Sequence, residues 1–298
     1  MFDARHGNDK SGGGLAFGLI TIGVVSALFV GVLFFPSITG EGKAPVPGLA
    51  EEQADPSLLA AFEDTPTQAY LTKLQRTFPS VANDLQRDVN KARSRGADNV
   101  ELGVLVMQAG YAEIEDSFER LARADVRYFN ELLDLGIDGL TELSRSGAPY
   151  CKGSDLITLA SLSEQQLYAA AFDRVGHGAG LYNFGLEFNG IVLDAIHDAR
   201  ANPRNYGPLT PDDQRAVQTL MLGLVTDPQI MKLMTLEGSS RAEMDRAMEQ
   251  VNFCDLGVTI LRKIDALPQD TKGRLWSEVM SQAARGGIER QMRQLSRF

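Results

Sequence analysis

One long apolar run dominates the hydropathy pattern. Residues 15–35 read LAFGLITIGVVSALFVGVLFF, and no charged side chain lies between Lys10 and Glu41. At about 1.5 Å rise per residue, a helix of this length crosses a hydrocarbon core of roughly 30 Å. Signal peptides carry apolar cores of about 7–15 residues with a small-residue cleavage site close behind. Here the best small-residue match is Gly48-Leu49-Ala50, far beyond Phe35. The pattern predicts an uncleaved transmembrane helix that binds the lipid bilayer. Gly18, Gly23 and Gly31 would let a second helix approach, but no GxxxG motif lies within the span.

The run divides the chain. Residues 1–14 are polar and glycine-rich, the pattern of a disordered cytoplasmic tail. Residues 36–55 are rich in proline and glycine and read as an extended tether. From residue 56 to 298 the apolar positions recur at helical spacing, with no alternation over a strand length. The predicted fold is all-α: a transmembrane helix, a tether, then a multi-helix, bundle-like domain. Helix starts are legible at Asp55-Pro56, Thr65-Pro66, Thr210-Pro211 and Asp227-Pro228, where a capping oxygen precedes proline at the first helical position. Ser163 with Gln166, and Ser240 with Glu243, have capping-box spacing.

Two stripes stand out. Val100, Val104, Met107, Tyr111, Ile114, Phe118 and Leu121 step by four and three, and Tyr128, Leu132 and Leu135 resume the series in phase. Leu102, Leu105 and Leu133 widen the stripe, which suits one long helix in its own bundle better than an intermolecular coiled coil. A homo-oligomer remains open. Met244, Ala247, Val251, Cys254, Val258 and Leu261 form a second stripe, which puts Cys254 in the middle of a helix.

Charge refines this picture. The formal net charge of −10 disfavours nucleic acid and anionic surfaces as partners of the whole domain. Arginines outnumber lysines by more than two to one, a usage typical of GC-rich bacterial genomes. Arg5, Lys10 and the α-amine precede the apolar run, against Lys43 alone close behind it. The positive-inside rule then puts the N-terminus in the cytoplasm and the domain in the periplasm, anchored in the inner membrane. There an even pair of cysteines, Cys151 and Cys254, invites a disulfide. With no CxxC or CxxCH, neither a thioredoxin-like centre nor covalent haem is expected.

Chemistry is sparse. Residues 169–202 are apolar on nearly every side, which predicts a central buried helix with a pocket near Phe184, Phe188 and Ile191. Glu187, between Leu186 and Phe188, is read as a buried carboxylate. Asp194 and His197 have i,i+3 spacing, and Asp173 and His177 have i,i+4 spacing. A carboxylate-bridged metal bundle would need ligands from two further helices, so no metal or other cofactor is expected. Gly176-His177-Gly178-Ala179-Gly180 lacks the strand and Lys-Ser/Thr of a phosphate loop. Arg285, Arg290, Arg293 and Arg297 make the C-terminal end locally basic. The expected role is an interaction or scaffold component of a bacterial cell-envelope assembly, with protein partners there. The alternatives are a hydrophobic-ligand (lipid or peptide) binding domain, and an envelope enzyme using Glu187, Asp194 and His197.

Overall fold

The computed structural model describes residues 58–62, 65–147, 151–153, 180–234, 243, 246, 247 and 249–285. The apolar run at 15–35, the tether, His6, Asp173, His177 and Arg290 onward lie outside the described residues, as do the Ser163 and Ser240 ends of the expected capping boxes. Among the described residues the fold is all-α, without a strand and without a helix long and apolar enough to cross a membrane.

A 3-10 turn at Leu58–Ala61 precedes α1 (Thr65–Thr77), α2 (Pro79–Ser94), α3 (Asn99–Gln108), α4 (Tyr111–Glu115), α5 (Phe118–Leu121) and α6 (Val126–Arg145). Then come α7 (Gly180–Ala201), α8 (Pro211–Val225), α9 (Pro228–Met234), α10 (Phe253–Asp265) and α11 (Gln269–Ala284). The centre is a stack in which α7 lies between α1 and α6, and α6 lies between α7 and α10. Helix α11 closes the stack against α5 and α6, while α8 leans on α9 and α10. Helix α7 earns its central place by sequence. Leu186, Phe188, Ile191, Val192, Leu193, Ala195, Ile196 and Ala199 are all buried, and together they cover most of its circumference.

The predicted long helix over residues 100–135 is instead four helices. Ala109 turns extended at ψ 130°, and Gly110 takes φ +85°, a conformation that favours glycine. Asp125 ends the series by capping α6, its carboxylate accepting the Arg127 N–H at 3.0 Å. The apolar phase survives in part: Met107, Leu121, Tyr128 and Leu132 are buried, Val104, Ile114, Phe118 and Leu135 are partly buried against the same core, and in α3 Leu102 and Val106, outside the series, go deeper. The second stripe also breaks. Asn252 caps α10, its side chain accepting from the N–H groups of Cys254 and Asp255 at 3.0 and 3.1 Å. Cys254 therefore sits in the first turn of a helix, not in its middle.

Helices α6 and α10 meet through reciprocal notches. A methyl group at Gly136 would lie 2.8 Å from Leu261 Cδ1, and one at Gly257 would lie 2.6 Å from Leu140 Cδ1. Each helix thus receives a leucine of the other at a glycine, which lets the two backbones approach closely.

Candidate functional site

Cys151 and Cys254 stand at disulfide distance, with sulfurs 1.96 Å and Cα atoms 5.0 Å apart, across 103 residues of sequence. Polar contacts surround the pair. Lys152 forms an isolated antiparallel bridge with Asn252. The Asn252 amide donates to Ser144 Oγ at 3.2 Å, and Ser144 Oγ donates to Asp255 at 2.6 Å. The Asn252 backbone N–H donates to Gln229 of α9 at 3.1 Å. The end of α6, the start of α9 and the start of α10 therefore meet at this cysteine pair.

The residues of the expected pocket lie along α7. Phe188 and Ile191 are buried in the core. Phe184 is half-buried, tilts against Phe188 with ring centroids 6.3 Å apart, and covers Gly139 of α6. What these three residues show is packing. Glu187, read from its neighbours as buried, is exposed. The helical period carries Leu186 and Phe188 to either side and leaves Glu187 on the narrow solvent edge. His197 is exposed on the same edge. Asp194 is half-buried between two cations of α1, with Lys73 Nζ at 2.9 Å and the Arg76 guanidinium donating to its other oxygen. Its carboxylate ties α7 to α1. No group of three or more His, Cys, Asp or Glu side chains that could hold a metal occurs among the described residues.

Sequence reasoning missed two polar centres. The first is Asp213, which is 2% exposed. One of its oxygens accepts from Thr271 Oγ1 at 2.6 Å and Arg274 Nη2 at 3.0 Å. The other accepts from Arg274 Nε at 2.6 Å, Thr210 Oγ1 at 2.6 Å and Thr210 N at 2.8 Å. The Arg274 guanidinium, aided by the Thr210 and Thr271 hydroxyls, holds this carboxyl far below the usual carboxylate range, against the opposing effect of burial. The one local signal was Thr210-x-x-Asp213, a capping box with aspartate in place of glutamate.

The second is a cleft of about 580 Å³ between residues 202–210, the joint of α5 and α6, and one face of α11. Its walls are held from several directions. Arg204 N donates to Arg123 O at 2.8 Å, and the Arg204 side chain donates from Nε and Nη2 to Asp125 at 3.0 and 2.7 Å. The Arg127 N–H, and then the Arg204 guanidinium, hold the Asp125 carboxyl below the usual carboxylate range. Tyr206 donates to Ala124 O at 3.0 Å, and its ring fills the space a side chain at Gly273 would need. Next in sequence to Ser277 of the cleft wall, Trp276 is buried, donates to Leu121 O at 2.7 Å and stacks on Phe129 with centroids 5.1 Å apart.

In comparisons with known proteins, no family model, curated protein or solved structure matches this chain.

Proposed function

We propose that this protein is a single-pass component of a bacterial cell-envelope assembly, with its N-terminus in the cytoplasm and its helical domain in the periplasm. In this reading the domain acts as an interaction or scaffold module. The observation that carries it is the Cys151–Cys254 pair in a chain that also holds the 21-residue apolar stretch at residues 15–35. A fastening of this kind persists in an oxidising compartment, beyond the membrane that the apolar run would enter. The acidic residues agree with a structural role, since Asp125, Asp194 and Asp213 each join separate segments by ion pairs. Leu222 and Met231, on the adjacent helices α8 and α9, are 64% and 52% exposed and offer apolar contact points to a partner.

The test uses intact cells. A membrane-impermeant maleimide should label Cys151 and Cys254 only after reduction. A photo-crosslinking residue at Leu222 or Met231 should capture a discrete envelope protein. Labelling that requires cell lysis would place the domain in the cytoplasm and overturn the reading. So would an uncrosslinked monomer at both positions.

A further inference from the structure

The cleft beside Tyr206 carries unspent donors. Ser277 and Ser281 lie one turn apart on α11, and both line it. Hydroxyls within helices commonly bond back to the carbonyl four residues earlier. Thr72, Thr141 and Thr219 do so here, at 2.8, 2.6 and 2.9 Å. Ser277 and Ser281 do not, and among the described residues neither hydroxyl has a hydrogen-bond partner.

Arg123 and Arg204 line the same space. Among the described residues the Arg123 guanidinium makes no ion pair. Arg204 binds Asp125 through Nε and Nη2, which leaves Nη1 unused. With Arg285, which also approaches Glu278 at 3.8 Å, three arginines and two hydroxyls thus line a volume within the usual range of ligand sites, roughly 300–1,000 Å³. Their N–H and O–H donors outnumber the four lone-pair positions of a carboxylate. A phosphoryl group, with three strong acceptor oxygens in tetrahedral array, matches them better. Glu119 and Asn205 also line the cleft and suit hydroxyl groups on the organic part of a ligand.

We infer that this cleft binds a phosphate ester through Arg123, Arg204, Ser277 and Ser281. The ester is either a small soluble one or the headgroup of an anionic phospholipid. The net charge of −10 keeps long polyanions away but does not oppose a single phosphate on a local cluster of arginines. This inference stands apart from the proposed assembly role, which is read by labelling and crosslinking.

The chain has one tryptophan, Trp276, next to Ser277, so its fluorescence reports on the site. The full chain in a neutral detergent would be titrated with glycerol 3-phosphate, with glycerol and succinate at matched ionic strength as controls. The expected result is a saturable Trp276 change with glycerol 3-phosphate alone. Arg123→Ala and Ser281→Ala should each weaken binding about tenfold, the loss of one hydrogen bond to a charged group, while the unliganded melting temperature stays unchanged. Arg87→Ala, at an exposed site away from the cleft, should leave binding intact. No saturation, equal binding of succinate, or equal weakening by Arg87→Ala would overturn the inference. Repeating the titration in nanodiscs separates the sources. Weaker apparent affinity when phosphatidylglycerol replaces phosphatidylcholine identifies the lipid headgroup as occupant. Unchanged affinity identifies a soluble ester.

Discussion

Arg274 grips Asp213 as a fork, with Nε 2.6 Å from one carboxylate oxygen and Nη2 3.0 Å from the other, across 61 residues of sequence. The pair joins the first turn of α8 to the first half of α11, and the same carboxylate caps α8 at Thr210. Removing one partner of a buried pair leaves the other uncompensated, which commonly costs about 3–5 kcal/mol. Arg274 keeps 21% side-chain exposure, so Asp213→Asn should fall at the low end, near 3 kcal/mol, in urea denaturation at neutral pH.

The same carboxylate sets a pH dependence. Its folded-state pKa lies far below the unfolded value of about 3.9. The unfolded chain therefore takes up the proton first as pH falls. The stabilisation is complete well above about pH 4 and declines below it, toward the depressed folded value. Urea midpoints from pH 7 to pH 2 should fall below about pH 4 in the parent chain, and less steeply in Asp213→Asn. Parallel slopes would show that Asp213 is not the group responsible.

Much of the architecture was legible because it is written locally. Thr210 caps α8, and Asp227 accepts from Gln229 N at 2.9 Å at the start of α9, as the oxygen-before-proline pattern predicts. The buried circumference of α7 followed from its all-round apolar character. The breaks at Gly110 and Asn252 were hidden because apolar phase records which side faces the core, not whether the backbone stays helical between contacts. Glu187 was misread because its sequence neighbours point to other faces. The Asp213–Arg274 pair has no local signature, since residues 61 positions apart leave no periodicity. The cleft combines three segments distant in sequence, and its hydroxyls converge only once their helix is in place.

The glycine notches make a third prediction. Replacing Gly257 with alanine raises intrinsic helix propensity by about 1 kcal/mol in isolation. Here the new methyl meets the buried Leu140, and overpacking of that kind costs typically 1–3 kcal/mol. Gly257→Ala should therefore destabilise in chemical denaturation. Leu140→Ala should destabilise more, by about 2–5 kcal/mol. The double variant should cost less than the sum, with a coupling of about 1 kcal/mol in the cycle. Strict additivity would mean the two residues do not compete for the same space.

Trp276 gives a fourth. Its indole N–H donates to Leu121 O across the contact between α11 and α5. Trp276→Phe keeps an aromatic ring beside Phe129 but removes this bond, leaving Leu121 O with the Ala124 N–H alone at 3.0 Å, and a cavity behind. The expected loss is about 0.5–1.5 kcal/mol for the hydrogen bond, with more for the lost volume. Near-ultraviolet circular dichroism should lose its tryptophan bands while far-ultraviolet helicity is retained. A variant as stable as the parent would show that this bond carries no weight.

The cysteine pair gives the last. Closing a loop across 103 residues restricts the unfolded chain, and for loops of about 100 residues the entropic model sets the gain near 4.7 kcal/mol, with measured values of about 0–5. Asn252, Ser144 and Gln229 remain as noncovalent fastenings when the sulfurs separate, so the reduced domain should stay folded at lower stability. Reductant, or Cys151→Ser with Cys254→Ser, should lower stability by about 2–4 kcal/mol while far-ultraviolet helicity is kept at room temperature. Protease susceptibility should rise first near Arg145 and Lys152, next to the released junction. The two treatments should agree in size, since both remove the same link. A large effect of the serine pair without any effect of reductant would trace the loss to packing at buried Cys151 and Cys254 rather than to the bond.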